Sequence, residues 1–214
     1  MNEKRNIWLP VLLMIALAAT RWPGWLPPNF SAVYALVFCA GVYFPPRLWW
    51  IPAATMLGTD LALNFYYMLR FENVNPFQPM QLMNYAVYAV IFVLGRRFGP
   101  KASFVRLLAG GILGALLFYV ITNTAAWLFN PFGNPEYSKN LIGWLHALTK
   151  GTAGYPQTWE FLRNTLLSGG LFTGLFVGAM KLTADAESPM EKDPAAAEEK
   201  EKPVEEPVGE EAKA

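Results

Sequence analysis

The chain has 214 residues, of which 54% are apolar, 15% are aromatic and only 15% are charged, with a formal net charge of +1. Its one cysteine and one histidine exclude an intramolecular disulfide, a thiol metal cluster and a multi-histidine metal site. The near-neutral total conceals a basic body, residues 1–181 with five acidic and thirteen basic side chains, and an acidic remainder with eleven acidic and four basic ones.

Six apolar runs follow one another between charged or Pro/Asn-rich breaks, and each is a candidate membrane span. They cover residues 7–20, 31–44, 48–68, 79–94, 104–129 and 159–181. The first two are short for a perpendicular span of about twenty residues, and flanking aromatic side chains extend them as interfacial anchors. Residues 1–181 are therefore predicted to be an all-α integral membrane domain with six transmembrane helices.

Charge sets the expected orientation and the character of the C-terminal segment. With the N-terminus in the cytoplasm, the inner segments hold eight basic residues and the outer ones five, and the tight cluster between Arg96 and Arg106 dominates this bias. Residues 182–214 are rich in Glu, Lys, Pro and Ala and contain no aromatic residue, which predicts a disordered acidic tail. We expect a multi-pass protein of the bacterial inner membrane with both termini in the cytoplasm.

The long outer loop, residues 130–158, contains a possible short helix over residues 138–149. Leu141, Trp144, Leu145 and Leu148 recur there at helical spacing, which is typical of a helix lying along the membrane surface. A helix that caps a cavity is the other interpretation. His146 falls in this segment, and we expect it to be a surface residue.

Asp60 is a carboxylate about two-thirds of the way along the third apolar run. A charge at that depth in a bilayer is costly, so such residues usually face the protein interior and mark a pathway or a binding site. Asn64 follows one helical turn later and lies on the same face. The sequence thus predicts a polar patch inside the membrane domain.

Other polar residues are expected at the same depth, in the outer halves of the remaining runs. Amides both donate and accept hydrogen bonds, and aromatic faces accept a flat ring or a cation. Such a mixture suits a small polar or heteroaromatic solute in a cavity open to the outside. The predicted substrate-binding residues are Asp60, Asn64, Asn84, Tyr88, Asn123, Trp127 and Asn164.

The alternative interpretation is that these amides bridge helices and that Asp60 pairs with Arg163 or Arg70 as a buried strut. A structural or assembly protein would then result. A third class, an intramembrane serine hydrolase, would need a serine paired with a histidine. Ser168 is a candidate nucleophile, but the only histidine, His146, lies in a predicted loop.

Small residues at four-residue spacing predict close helix packing. Such stripes occur at Gly170, Gly174 and Gly178, at Gly110 and Gly114, and at Ser31, Ala35 and Cys39. The glycines and lysine of residues 95–101 do not have the spacing of a phosphate-binding loop. We therefore predict no ATP hydrolysis by this chain. We also predict no enzymatic activity, no cofactor, no metal and no nucleic-acid partner.

Several motifs resemble a bacterial family of six-span membrane proteins of unknown function that are commonly labelled as transport proteins. They are PNFSAVYAL at residues 28–36, GVYF at 41–44, TDL at 59–61, ITN at 121–123 followed by Trp127, and FLRNTL at 161–166. That family is similar in layout to the substrate-binding (S) components of energy-coupling-factor (ECF) vitamin transporters. The resemblance covers residues 5–181.

The resemblance implies a small protein that captures a micronutrient from outside the cell. It would pass the solute across the membrane together with a separate coupling protein and two ATPase subunits, and membrane lipids would surround it. ECF components commonly carry an Ala-xxx-Ala docking motif on their first span. Here that span offers Ala16, Ala18 and Ala19 without the four-residue spacing.

Overall fold

The computed structural model describes residues 8–72 and 77–191, with side chains described over 12–72 and 77–183. Within these ranges the chain forms helices and turns but no strand, which confirms the predicted all-α class. The helices are α1 (Trp8–Thr20), α2 (Val33–Tyr43), α3 (Trp50–Arg70), α4 (Met80–Arg96), α5 (Phe104–Phe129), α6 (Leu141–Thr149) and α7 (Thr158–Glu191), with a 3-10 turn at Pro46–Leu48.

Each predicted apolar run forms a helix, and the additional helix expected in the long outer loop is α6. The helix α5 begins and ends at the predicted residues, because Ser103 caps its first turn and Asn130 takes a left-handed conformation after its last. The helix α7 extends to Glu191, ten residues beyond the predicted boundary at 181. The rest of the predicted tail, residues 192–214, lies outside the described residues.

The chain divides into two compact units, Met1–Gly178 and Ala179–Ala214. Two described helices are long and apolar enough to cross a membrane, Phe104–Phe129 and Thr158–Thr183. The helices Val33–Tyr43 and Met80–Arg96 are apolar but shorter. At 21 residues α3 has the length of a span, and it carries polar and ionisable residues in its middle. The arrangement with six spans therefore stays a prediction.

The helix α2 is the central element of the first unit. Its residues from Val33 to Val42 are all buried, and it packs against α1, α3, α4 and α5. A helix that is apolar on every side needs such an enclosed position. It ends at Tyr43 because the next residue, Phe44, is extended ahead of Pro45, as residues before proline usually are.

The helix α3 is polar inside and apolar outside. Its buried residues recur every four positions: Pro52, Met56, Asp60 and Asn64. Its outer surface carries an exposed apolar stripe at Leu57, Leu61, Phe65 and Leu69. A helix on the surface of a water-soluble protein has the opposite arrangement, with polar residues outside. The orientation of α3 about its axis that brings Asp60 and Asn64 inward thus places large apolar side chains outward.

The predicted small-residue stripes differ in how closely they pack. On α5 the packing is close, since a Cβ at Gly110 would lie 2.5 Å from the ring of Phe38, whereas on α7 it is not. Side chains added at Gly170 and Gly174 of α7 would have ordinary contacts, and at Gly178 they would have open space. The closest approach of α5 to α7 lies at Gly111, where an added Cβ would overlap Thr173. The prediction of close packing along the glycine stripe of α7 was therefore wrong.

Candidate functional site

Asp60 forms a buried ion pair with Arg21, which lies just after the last residue of α1. The side chains of Arg21 and Asp60 are 15% and 10% exposed. The second carboxylate oxygen of Asp60 accepts a hydrogen bond of 2.6 Å from the Tyr85 hydroxyl on α4. The carboxylate therefore joins α3 to α4 and to the end of α1, and both of its oxygens have partners.

The guanidinium of Arg21 is only partly used by this cluster. Its Nη2 pairs with Asp60, and its Nη1 lies 3.6 Å from the Met56 sulfur. Its Nε is buried and has no hydrogen-bond partner among the described residues. A buried N–H without an acceptor is costly, so a polar ligand group or a water molecule that reached this donor would be stabilising.

The partner suggested for Asp60 in the strut interpretation was wrong. Arg163 is exposed, donates from Nε to the Asn164 side-chain oxygen at 3.3 Å and lies 5.6 Å from the Trp159 ring centroid. Arg70 is exposed at the end of α3. The sequence signal for Arg21 was its position directly after the first apolar run, but it did not distinguish Arg21 from the other outer cations.

The side chain of Asn64 pairs with Gln81 of α4 through two hydrogen bonds. The Asn64 amide donates to the Gln81 oxygen at 3.1 Å, and the Gln81 amide donates back at 3.2 Å. This pair lies one helical turn from Asp60 on α3 and one turn from Tyr85 on α4. The two helices thus have polar contacts on two successive turns.

Tyr88 belongs to the same region but already has an aromatic neighbour. Its ring stacks on Phe118 of α5, with centroids 5.3 Å apart and planes 8° from parallel. Tyr85 lies 6.4 Å away on one side, and Phe118 contacts Tyr34 of α2 at 4.8 Å. One face of Tyr88 is therefore covered, and the aromatic line continues from the Asp60 cluster towards α2.

Asn164 lies at the far end of this line. Its side chain is buried and donates to the Pro28 carbonyl at 3.0 Å. The neighbouring Asn29 carbonyl accepts a hydrogen bond of 3.4 Å from the Tyr34 hydroxyl. Asn164 thus holds the loop before α2 against α7, and it is related to Asp60 only through the intervening aromatic rings.

Asn123 and Trp127 do not join the Asp60 cluster. The Asn123 amide donates to the Tyr119 carbonyl of its own helix at 2.8 Å. The Trp127 indole donates to the Ser138 carbonyl at 2.7 Å, and Lys139 Nζ lies 5.5 Å from its ring centroid. Both residues are thus engaged by α5 and by the outer loop rather than by a shared cavity.

Several hydrogen bonds fasten the segment containing α6 to α5, among them those from Lys139 Nζ to the carbonyl oxygens of Trp127 and Leu128. Besides Trp127, the Tyr119 hydroxyl donates to the Leu148 carbonyl at 2.6 Å, and the Trp144 indole donates to the Thr124 hydroxyl at 2.9 Å. Tyr119 and Trp127 thus lie on the face of α5 that meets α6 and the residues before it. The surface-helix and cap interpretations of α6 both stay predictions.

Replacing Trp127 by phenylalanine is expected to loosen residues 130–140 while leaving the rest of the fold intact. The change removes the bond to Ser138, worth about 1 kcal/mol, and keeps an aromatic ring near Lys139. Hydrogen exchange in the outer loop should become faster than in the wild-type protein. Trp159→Phe is the control, since that indole donates only to Gln157, two residues away. Equal exchange in both variants would contradict the assignment.

Asn84 and its neighbour Tyr85 are both partly exposed, and Tyr85 is the one that bonds to Asp60. On α4 the inward polar and aromatic face is Gln81, Tyr85 and Tyr88, spaced by four and three residues. Two surface clefts are described, of about 310 and 450 Å³, and no predicted site residue lines either one. The structure thus brings Asp60, Asn64 and Tyr88 together and separates Asn123, Trp127 and Asn164 from them.

Ser168 donates its hydroxyl to the Thr165 carbonyl of its own helix at 3.2 Å. His146 lies on α6, and no hydrogen bond between the two residues is found in the part of the chain that is described. A serine activated by histidine requires such a bond. The geometry therefore offers no support for an intramembrane serine hydrolase.

The helices and the buried cluster define an all-helical protein with polar groups enclosed between α1, α3 and α4 and with two helices long and apolar enough to span a membrane. The chain belongs to the Family of unknown function (DUF6580), whose model matches residues 1–192. Comparison with curated proteins and with solved structures finds no match. Membership of a family of unknown function is thus confirmed, and the similarity to ECF substrate-binding components stays a prediction.

Proposed function

We propose that this protein is a multi-span protein of the bacterial inner membrane that captures a small polar or heteroaromatic micronutrient from outside for uptake, in the manner of an ECF substrate-binding component. The observation that carries the proposal is the enclosed cluster of Asp60, Arg21 and Tyr85, in which the Arg21 Nε donor has no acceptor among the residues that the structure describes. Ionisable groups enclosed between apolar helices are typical of solute pathways.

The surfaces of the helices support the membrane part of the proposal. Besides the stripe on α3, α7 exposes Leu167, Leu171 and Leu175, each at least 50% exposed. Side chains of this kind at four-residue spacing form continuous apolar strips on two helices. Exposed leucine stripes are favourable in lipid, where ionisable side chains such as Asp60 have to face the protein interior.

The site that we propose is narrower than the sequence predicted. Asp60, Asn64 and Tyr88 are retained, and Arg21, Gln81 and Tyr85 are added as their direct partners. Arg21 would donate to a polar or anionic edge of the solute, and the Asn64–Gln81 amides would open to bind it. Tyr88 would contact a ring of the solute. Uptake would still require a membrane coupling protein and ATPase subunits.

Binding by purified full-length protein in detergent tests this proposal. Riboflavin, thiamine and biotin serve as probes, with intrinsic tryptophan fluorescence and thermal shift as readouts. For a probe that binds, Tyr88→Leu and Gln81→Ala should each weaken affinity about tenfold, equivalent to the loss of a single good contact. Asn123→Ala is the control, because its amide is bonded within α5. Affinity that falls in the control as much as in Tyr88→Leu would contradict the site.

A structural or assembly role is the second candidate, and a specific observation favours it. Asp60 has partners on both oxygens, and the Asn64 amide is paired with Gln81. Groups that satisfy one another's hydrogen bonds in this way are explained by a purely structural role, in which they hold α1, α3 and α4 together. Variants that lose stability while keeping affinity for every probe would support this role over solute capture.

A further inference from the structure

A cleft of about 310 Å³ lies where α2 and α4 end and α5 is about to begin. Its walls include Tyr43, Pro45, Pro46, Arg96, Phe98 and Pro100. Tyr43 and Arg96 are the last residues of α2 and α4, the others follow these helices, and none of them belongs to the Asp60 cluster. The cleft is therefore a separate feature of the molecule.

Two polar groups in the cleft wall have unused hydrogen-bonding capacity. The Tyr43 hydroxyl is buried and has no partner among the described residues. Arg96 donates from Nη1 to the Phe44 carbonyl at 3.0 Å, which uses one of the five N–H donors of a guanidinium. The arginine is otherwise exposed. A ligand that accepts hydrogen bonds from both groups would satisfy them.

Positive charge surrounds this opening without compensation nearby in the sequence. Arg97 and Lys101 are exposed neighbours of the lining residues, and the Arg106 guanidinium lies 5.7 Å from the ring centroid of Phe98. The sequence between residues 73 and 135 contains no acidic residue. A concave site rimmed by guanidinium groups is suited to a phosphate, because arginine donors match phosphate oxygens in geometry and charge.

Apolar side chains next to the cleft indicate where the phosphate comes from. Trp49 and Trp50, directly after the turn at Pro46–Leu48, are 59% and 54% exposed, and Val105 at the start of α5 is 72% exposed. Exposed tryptophans beside basic residues are typical of the level of lipid headgroups. Binding of a free phosphate from water would not require these exposed apolar side chains.

We propose that this cleft binds the headgroup phosphate of an anionic phospholipid in the membrane leaflet that it faces. Arg96 and the Tyr43 hydroxyl donate to the phosphate oxygens, Arg106 adds charge at the rim, and Phe98 and the prolines contact the glycerol region. The site rests on the proposed membrane location but not on solute capture. Its occupant would fix the depth of the ends of α2 and α4 in the bilayer.

Native mass spectrometry of the full-length protein in nonionic detergent tests the proposal with phosphatidylglycerol and with phosphatidylcholine of the same acyl chains. Phosphatidylglycerol should be retained in preference. Arg96→Gln should weaken its apparent affinity about fivefold, as expected for one surface cation, and Tyr43→Phe should weaken it about threefold or more. Arg70→Gln, the loss of an exposed cation at the end of α3, is the matched control and should leave retention unchanged.

Three outcomes would overturn the proposal: equal retention of the two lipids, retention unchanged in both Arg96→Gln and Tyr43→Phe, or an equal loss in Arg70→Gln. An excess of inorganic phosphate provides a further arm. Displacement of the lipid by inorganic phosphate alone would assign the cleft to a free anion instead. Vitamin binding in the same detergent is measured separately, so failure of lipid binding leaves the proposed solute site to be judged by its own assay.

Discussion

Replacement of Arg21 by glutamine is expected to lower the stability of the folded protein by about 3 kcal/mol or more. The change leaves the Asp60 carboxylate buried with Tyr85 as its remaining partner, and an uncompensated buried charge is strongly destabilising. Thermal unfolding in detergent, followed by circular dichroism, measures the effect. Asp60→Asn should also destabilise, because Arg21 would then lose its counter-charge.

The double variant Arg21→Gln/Asp60→Asn completes a double-mutant cycle. Two amides of similar size can bond to each other, so the double variant should be more stable than Arg21→Gln alone. Arg70→Gln is the control, since an exposed cation at the end of α3 is expected to change stability by about 0.5 kcal/mol or less. Additive losses in the cycle would show that the two side chains do not interact.

The same variants separate the two candidate functions. If the ion pair is only a strut, the double variant restores stability and binds every probe as the wild-type protein does. If Arg21 contacts a solute, the double variant regains stability but loses affinity, because glutamine cannot replace a charged donor. Stability and affinity therefore have to be measured on one set of proteins.

The polar positions of α3 could be predicted because an ionisable residue in an apolar run has few acceptable orientations. Asp60 and Asn64 share a buried face, as the four-residue spacing predicted. The partner could not be predicted, because Arg21 lies 39 residues away in a loop and resembles every other outer cation in a sequence. Asn84 shares the helical face of the buried residues Val87 and Ile91, whereas Tyr85 lies on a different face of α4 and is the residue that reaches Asp60.

The predicted depth of a polar residue in the membrane did not indicate whether its side chain would join the Asp60 cluster. Asn123 and Trp127 lie in the C-terminal half of α5, the half predicted to be the outer one, but a side chain can bond to its own helix or to an adjoining loop. Asparagine in particular finds local backbone acceptors. Residue pattern fixes the height of such a side chain on a helix, whereas its partner depends on the loops that pack around it.

Alanine at Gly41 is expected to prevent normal packing of α2 on α4 and to destabilise the protein by about 3 kcal/mol or more. A Cβ there would overlap the Phe92 carbonyl oxygen and lie 3.0 Å from the Cα of Gly95. The opposing glycine is equivalent, because a Cβ on Gly95 would overlap the Phe38 carbonyl oxygen. Neither backbone can move without displacing the central helix. The yield of monodisperse protein and its thermal unfolding measure the effect of each substitution.

Gly58→Ala is the matched control, because Gly58 lies within α3 and a Cβ there meets nothing within 4 Å. This change should be neutral or should stabilise the helix by up to about 1 kcal/mol. A stable Gly41→Ala protein would show that α2 and α4 do not approach as closely as described. The orientation of α4 that brings Tyr85 to Asp60 depends on that approach. A stable variant would therefore also contradict the contact between Tyr85 and Asp60.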